Sequence, residues 1–315
     1  AGLGKNYNLV VTANGKSKVE KATLNVGLSD VYRTYGNAKI TNGSYSAGNI
    51  IGLVNGDNYD ASDFKVKVNS DGAIAGVSGS KVTNDAGNYT WSGTVEVANA
   101  GLNKNYDLVV NGNANSYVGK AQLSVSLNDV VRTYGNATIT SGGYGVSGIT
   151  GLVNGDGYNA GDVKVTVTGD GAIAGVSGSN RVTNDAGDYT WSGTAATDNA
   201  GLDKNYNLVV TANGKSKVEK ATLNVGLSDV VRTYGNATIT SGGYSASNIT
   251  GLVNGDSYDA SAITVNKTSD GAIAGVSGSK VTNDAGDYTW SGTAKTDNAG
   301  LGKNYNLVVT ANGKS

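Results

Sequence analysis

Short runs of alternating apolar and polar residues recur along the chain. This period-two pattern covers residues 22–28, 64–68 and 106–110, and it returns at 163–167 and 206–210. Side chains on an extended strand point alternately to opposite faces, so each run predicts a half-buried β-strand. No window of ten residues carries an apolar stripe with helical spacing. The pattern therefore predicts an all-β chain.

Turn signals separate these runs. Asn55-Gly56, Asn154-Gly155 and Asn254-Gly255 are dipeptides that supply the positive φ angles of tight turns. Short strands at regular spacing, joined by such turns, are typical of an antiparallel sandwich. We expect about seven strands in each Ig-like β-sandwich.

The chain contains an internal repeat of about one hundred residues, which is the size of a small domain. The sequence D-A-G-[ND]-Y-T-W-S-G-T occurs at 85–94, 185–194 and 284–293. The tryptophans of the three copies lie 100 and then 99 residues apart. The extra residue is in the segment 179–182, which we interpret as a loop insertion.

The repeat pattern gives the domain boundaries. Residues 1–18 match the last segment of a repeat and are predicted to be the C-terminal strand of a preceding copy, and three Ig-like repeats follow at 19–117, 118–217 and 218–315. The junction at 16–21 is short, polar and free of proline, so we expect domains joined end to end with limited bending. At about 35–45 Å per domain, three of them would span about 110–130 Å.

The composition of the chain argues against several classes of function. The chain has no His, Cys, Met or Pro, and its 24 basic and 25 acidic residues nearly balance. It therefore lacks the usual general base near neutral pH, the thiol nucleophile and the commonest metal ligands. It also lacks the basic footprint of a nucleic-acid-binding protein and any apolar run long enough to insert in a membrane. We predict that it is not an enzyme and that it has no cofactor.

The D-A-G-x-Y-x-W segment is the most informative motif. Its tyrosine precedes the tryptophan by two residues, so both side chains lie on one face of a strand, as in the tyrosine corner of Ig-type domains. The predicted structural core residues are Tyr89, Trp91, Tyr189, Trp191, Tyr288 and Trp290. The alternative is an aromatic platform that binds sugar.

A second motif places arginine beside tyrosine. Residues 30–38 contain Arg33 and Tyr35, and the segment returns at 129–137 and 229–237. We expect the arginine to stack on an aromatic ring at a domain edge, and the alternative is a ligand clamp.

Together these motifs resemble a known family. The first repeat carries K-A-x-L-x-V at 21–26, V-x-R-T-Y-G-N-A at 31–38, G-L-V-N-G-D at 52–57, D-A-G-x-Y at 85–89 and K-N-Y-[ND]-L at 104–108. Their order and spacing resemble the MBG/YDG-type repeats, which are bacterial Ig-like repeats of filamentous-haemagglutinin-like surface adhesins. The resemblance covers nearly the whole chain. It implies a secreted Ig-like repeat of a very long surface protein, without catalytic residues.

Clustered carboxylates raise the question of a metal. Asp57, Asp60 and Asp63 lie close together in the first repeat, and Asp156 and Asp162 lie close together in the second. Asp198 and Asp203 lie near the second junction. The sequence has no D-x-D-x-D-G loop, and the first junction lacks the acids of the second, so we interpret these residues as turn formers and predict no metal site. Calcium at the linkers is the alternative. Glycosylation is a further alternative at the N-x-[ST] triplets of Asn42, Asn88, Asn136, Asn236, Asn248 and Asn266.

These features lead to two functional hypotheses. The first is a stalk or fibre-forming region of an extracellular adhesin or matrix protein on the bacterial surface. Its partners would be other copies of itself, laterally or end to end, and a host or matrix surface contacted by regions outside this chain. The second is a carbohydrate- or protein-binding module that uses exposed tyrosine and arginine residues. A side-by-side tyrosine pair facing solvent would favour the module, and buried tyrosine and tryptophan would favour the stalk.

Overall fold

The computed structural model describes residues 3–74, 84–173, 184–273 and 283–315. The chain divides into two compact units. Unit 1 comprises Ala1–Ala121, Val153–Asp156 and Gly201–Asn207, and unit 2 comprises Gln122–Leu152, Gly157–Ala200 and Leu208–Ser315. The loop insertion predicted at 179–182 lies outside the described residues.

The fold is all-β, as the alternating pattern predicts. The strands of repeat 1 are β1 (Ala22–Leu28), β2 (Val31–Thr34), β3 (Asn42–Gly43), β4 (Ala47–Ile51), β5 (Phe64–Asp71), β6 (Gly87–Val97), β7 (Tyr106–Val110) and β8 (Ala114–Gly119). Those of repeat 2 are β9 (Ala121–Leu127), β10 (Val130–Thr133), β11 (Ser141–Gly142), β12 (Val146–Thr150), β13 (Val163–Asp170), β14 (Gly187–Thr197), β15 (Tyr206–Ala212) and β16 (Gly214–Glu219). Those of repeat 3 are β17 (Ala221–Leu227), β18 (Val230–Arg232), β19 (Ile239–Gly242), β20 (Ala246–Thr250), β21 (Ile263–Asp270), β22 (Thr289–Thr296), β23 (Tyr305–Ala311) and β24 (Gly313–Lys314).

Short helices connect some of these strands. The α-helices are α1 (Ala100–Asn105), α2 (Ala200–Asn205) and α3 (Ala299–Asn304), and the 3-10 turns are Leu3–Lys5, Ala61–Asp63, Ala160–Asp162 and Ala260–Ala262. The sequence pattern does not predict the α-helices, because six residues are too few for an apolar stripe. Asn99 starts α1 by accepting hydrogen bonds from the amides of Gly101 and Leu102. Among the described residues, no helix is both long and apolar enough to cross a membrane.

Two sheets form the sandwich of repeat 1 in unit 1. One has the strand order β4-β1-β7, and the other has β3-β2-β8-β6-β5. Leu24, Val26, Phe64, Leu102 and Tyr106 form one core cluster, which joins β1 and β7 to β5. Burial of these apolar side chains on both sheets is the main source of stability.

The prediction of purely antiparallel sheets is wrong, because two pairs in repeat 1 are parallel. β1 runs parallel to β7, and β2 runs parallel to β8. Parallel neighbours require a long connection, and here most of the repeat lies between the paired strands. Alternation shows which face of a strand is buried, but it carries no information about the direction of the neighbouring strand.

Unit 2 contains most of the strands of repeats 2 and 3. Repeat 2 has the orders β12-β9-β15 and β11-β10-β16-β14-β13, while repeat 3 has β20-β17-β23, β18-β19 and β21-β22-β24. Only Lys220 separates β16 from β17. A single apolar cluster contains Tyr134 and Val218 of repeat 2 together with Leu223 and Tyr305 of repeat 3. The apolar core is therefore continuous across this junction.

Candidate inter-repeat contact site

The three tryptophans lie in the core of their repeats. Trp91, Trp191 and Trp290 are 0%, 1% and 0% exposed. Each indole N–H donates a hydrogen bond to a backbone carbonyl, at 3.0, 2.7 and 2.9 Å respectively. A fully buried indole with a satisfied N–H has no face available for sugar, so these rings are not the aromatic platform considered from the sequence.

The tyrosines of the same motif are half-buried and turn back on the chain. The hydroxyls of Tyr89, Tyr189 and Tyr288 each donate to the carbonyl four residues earlier, at 2.9 Å. This is the hydrogen bond of a tyrosine corner. The accepting residue is the aspartate of D-A-G, so the corner fixes that aspartate at the start of the strand.

The arginine of the second motif lies inside the repeat and not at a domain edge. Arg33 forms an ion pair with Asp71 at 3.0 Å, and its side chain is 1% exposed. It also donates to Ser116 and lies 5.5 Å from the centroid of the Tyr45 ring. Burial and the hydrogen bond to Asp71 raise the pKa of Tyr45 to about 12. Arg33 is therefore part of a buried polar network, and it is not accessible as a ligand clamp.

The tyrosine two residues after this arginine belongs to a different cluster. The hydroxyl of Tyr35 donates to Oδ2 of Asp156 at 2.9 Å, and the hydroxyl of Tyr206 donates to the same oxygen at 2.7 Å. The two rings pack edge to face, with centroids 5.4 Å apart. One carboxylate of repeat 2 therefore binds a tyrosine of its own repeat and a tyrosine of repeat 1.

A tight turn positions this carboxylate. Asn154 and Gly155 both have positive φ, at 58° and 77°, which confirms the turn predicted from the dipeptide. The amide of Asp156 closes the turn by donating to the carbonyl of Val153 at 3.0 Å. Val153 also contacts the backbone of Gly36, where a Cβ would lie only 2.2 Å from its methyl group. Glycine is required at this position both by its φ of +80° and by the approach of the valine.

The environment keeps these hydroxyls protonated. Burial raises the pKa of Tyr206 to about 12, and the hydrogen bond to Asp156 contributes to the same shift. Burial, followed by the hydrogen bond to Asp156, also raises the pKa of Tyr35. Neutral hydroxyls that donate to a carboxylate form charge-assisted hydrogen bonds, which are stronger than those between neutral groups.

An ion pair lies in the same unit. Lys204 contacts Oδ2 of Asp85 at 2.7 Å, and the amide of Asn205 donates to Oδ1 at 2.9 Å. The side-chain oxygen of Asn205 in turn accepts from the backbone N–H of Ala86 at 2.8 Å. The hydrogen bonds from Lys204 and Asn205 lower the pKa of Asp85. Lys204 and Asn205 lie in the last turn of α2, in which Leu202 and Asn205 are buried.

We refer to these residues of unit 1 as the first junction site: Tyr35, Asp85, Asp156, Lys204, Asn205 and Tyr206. The equivalent residues of unit 2 form the second junction site: Tyr134, Asp185, Asp256, Lys303, Asn304 and Tyr305.

The second junction site reproduces the first contact by contact. Asp256 accepts from Tyr134 at 3.0 Å and from Tyr305 at 2.8 Å. Asp185 contacts Lys303 at 2.8 Å and accepts from the Asn304 amide at 2.8 Å. The Asn304 oxygen accepts from the amide of Ala186 at 2.8 Å. The same segments of the repeat form both sites, so the sequence of the repeat specifies the arrangement.

The other acidic residues have local structural roles. The carboxylate of Asp57 accepts from Tyr106 at 2.8 Å, and that of Asp63 accepts from the amide of Asp60 at 2.9 Å. Asp198 pairs with Lys164, and Asp203 lies 3.7 Å from Lys120. Within the described ranges, no group of three or more acidic side chains is arranged to hold a metal ion.

Sequence reasoning identified the segments of the junction sites but not their chemistry. The sequence predicts Tyr35 only as part of an arginine motif, and Asp156 only as a turn former or metal ligand. The useful signal was present in the sequence: R-T-Y-G, G-L-V-N-G-D, D-A-G and K-N-Y keep their polar residues in every complete repeat.

No family model matches the chain, and no curated protein matches it. Among solved structures, the crystal structure of Drosophila N-cadherin EC1-4 covers 89% of this chain and 72% of that chain, at 12% identity and a TM-score of 0.23. The crystal structure of Drosophila N-cadherin EC1-3 covers 90% of this chain and 98% of that chain, at 10% identity and a TM-score of 0.25.

Proposed function

We propose that this chain is a non-catalytic structural region of a large secreted bacterial adhesin or extracellular matrix protein. In this role, tandem Ig-like sandwiches form an elongated stalk or fibre at the cell surface. The resemblance of its motifs to MBG/YDG-type repeats supports the extracellular and bacterial parts of the proposal. The occurrence of the same junction site twice is the observation that carries the structural part.

The junction sites support a stalk because they couple neighbouring repeats. A flexible linker would allow adjacent domains to move independently, whereas hydrogen bonds, an ion pair and shared apolar packing oppose bending. In unit 2 a single apolar cluster contains Val218 of repeat 2 together with Ala221 and Leu223 of repeat 3. Repeats coupled in this way resist unfolding as an array, because each contributes an interface energy to its neighbour.

A pair of equivalent substitutions tests the proposal. Asn304 is 5% exposed and donates to Asp185, whereas the equivalent Asn105 is exposed. Asn304→Asp replaces the amide that donates to Asp185 with a second carboxylate at a buried position, so we expect it to lower the free energy of unfolding by about 2–3 kcal/mol. Asn105→Asp is the matched control and should stay within about 0.5 kcal/mol of wild type. Equal effects in urea unfolding would show that the site does not couple the repeats.

A second candidate function rests on a tyrosine pair in repeat 1. Tyr32 on β2 and Tyr117 on β8 are paired in register, and their rings stack with centroids 4.7 Å apart at an angle of 18°. Tyr32 is 41% exposed. Asn42 flanks Tyr32 on β3, and Asn88 flanks Tyr117 on β6. This uncharged row of amides and aromatic rings has the composition of a carbohydrate-binding surface.

Repeat 2 provides the control for this candidate. Its equivalent row contains Ser141, Val131, Lys217 and Asp188, so all four positions differ from repeat 1. A variant carrying Tyr32→Val and Tyr117→Lys should therefore fold normally. Screening wild type and variant on an array of neutral glycans tests the site. Binding that the variant loses would support a carbohydrate-binding module, and equal binding or none by either protein would refute it.

A further inference from the structure

An accessible pair of tyrosine rings in repeat 1 is placed for a covalent reaction. Tyr32 and Tyr117 lie in register on the parallel strands β2 and β8, and their rings stack with centroids 4.7 Å apart. Tyr32 is 41% exposed and Tyr117 is half-buried. The spacing of neighbouring strands therefore holds two phenol rings together at a surface that solvent reaches.

The other tyrosine pairs are closed to solvent. Among the described residues, Tyr35 also contacts Tyr206, and Tyr134 contacts Tyr305, in both cases edge to face. These four side chains are at most 7% exposed, and their hydroxyls donate to aspartates. The pair on β2 and β8 therefore differs from them in both accessibility and ring geometry.

The composition of the chain directs oxidation to tyrosine. Cys and Met, whose sulfur atoms are readily oxidised, are absent. Tryptophan is the other easily oxidised side chain, and Trp91, Trp191 and Trp290 are at most 1% exposed. Exposed tyrosine is therefore the most accessible target for a one-electron oxidant.

We propose that Tyr32 and Tyr117 form an intramolecular dityrosine cross-link when a peroxidase oxidises the chain with hydrogen peroxide. Each phenol loses one electron and one proton and becomes a phenoxyl radical, and the two electrons and two protons reduce one hydrogen peroxide to two waters. The radicals couple through one ring carbon ortho to each oxygen. The hydrogen on each of these carbons then moves to the oxygen, which restores both phenols.

The fold favours coupling within the chain. Rings that are already in contact react as one molecule, so they do not depend on an encounter with a second chain. The new bond would join β2 to β8 across most of the sequence of repeat 1, and it would restrict the unfolded chain as a disulfide does. This inference goes beyond the proposed function, because a stalk of coupled sandwiches needs no covalent link.

Peroxidase treatment of the 315-residue chain at low concentration tests the proposal. Dityrosine fluorescence follows the reaction, and mass spectrometry of the digested monomer identifies the linked peptides. We expect the main product to join Tyr32 to Tyr117 with the loss of two hydrogen atoms, and Tyr32→Phe should lose it. Tyr59→Phe is the matched control, because Tyr59 is 42% exposed in the same repeat and its ring packs against Phe64. This control should keep the link.

Repeat 2 allows a test by gain of the link. Val131 and Lys217 occupy the equivalent positions on β10 and β16 and are also paired in register. A variant carrying Val131→Tyr and Lys217→Tyr should therefore acquire a second intramolecular dityrosine. Wild-type monomer that lacks the Tyr32–Tyr117 link after its other exposed tyrosines are oxidised would overturn the proposal. Dityrosine found only between chains, or a yield in the monomer that Tyr32→Phe leaves unchanged, would overturn it as well.

Discussion

Replacing Tyr35 with phenylalanine would remove one hydroxyl from the first junction site and keep the ring. The lost hydrogen bond joins a tyrosine that is 6% exposed to the carboxylate of Asp156 at 2.9 Å. Hydrogen bonds to charged groups contribute about 1.5–3 kcal/mol. Asp156 keeps its bond from Tyr206, so we expect a loss of about 1.5–2 kcal/mol, at the lower end of that range.

Calorimetry and urea unfolding measure this loss. For a coupled pair of repeats, each kcal/mol corresponds to a shift of about 2–4 °C in Tm, so Tyr35→Phe should lower Tm by about 3–8 °C. The matched control is Tyr234→Phe, which changes the same position of repeat 3, where the ring is 66% exposed. This control should stay within about 0.5 kcal/mol of wild type. If both variants lose the same stability, or neither loses any, the hydrogen bond does not couple the repeats.

Four further predictions follow from the structure. Trp191→Ala should cost about 3–5 kcal/mol in urea unfolding, because it empties a fully buried site. Tyr206 and Tyr305 have folded pKa values of about 12, above the ordinary 10.0. The stabilisation that their protonated hydroxyls provide is therefore complete below pH 10 and is lost as pH rises toward 12. Ultraviolet titration of the phenolates together with circular dichroism checks this. Asp85 and Asp185 have folded pKa values below the ordinary 3.8. The stabilisation that their ionised carboxylates provide is therefore present above pH 3.8 and is lost as pH falls through the folded values. Tm measured at decreasing pH should fall accordingly, and the fall should be smaller in Asp85→Asn. Chelation should leave Tm within about one degree, whereas a calcium site would add stability by mass action.

The sequence predicted those parts of the fold that depend on local pattern. Alternation at 22–28 and 64–68 predicted β1 and β5, and the Asn-Gly dipeptides predicted turns that the structure contains. These features can be predicted because a period-two alternation determines the strands and a single dipeptide determines each turn. The parallel pairing of β1 with β7 could not be predicted in the same way, since it depends on contacts between strands that are distant in sequence.

The contacts of the junction sites could not be predicted from the sequence either, for a related reason. Tyr35 and Asp156 are 121 residues apart, and nothing in either local segment identifies the other as a partner. The prediction that Arg33 lies at a domain edge is wrong for a different reason. A charged side chain is normally exposed, and here the buried partners Asp71 and Ser116 make an interior position favourable.

Small-angle X-ray scattering of the 315-residue chain tests the stalk proposal most directly. Sandwiches coupled end to end would give a maximum dimension of about 110–130 Å, from strands of about seven residues plus loops in each repeat. A rod of that length has a radius of gyration of about 35 Å, whereas a globule of this chain length has one of about 20 Å. We predict the larger value, unchanged by moderate salt. A radius near 20 Å would contradict the proposal that these repeats form an extended stalk.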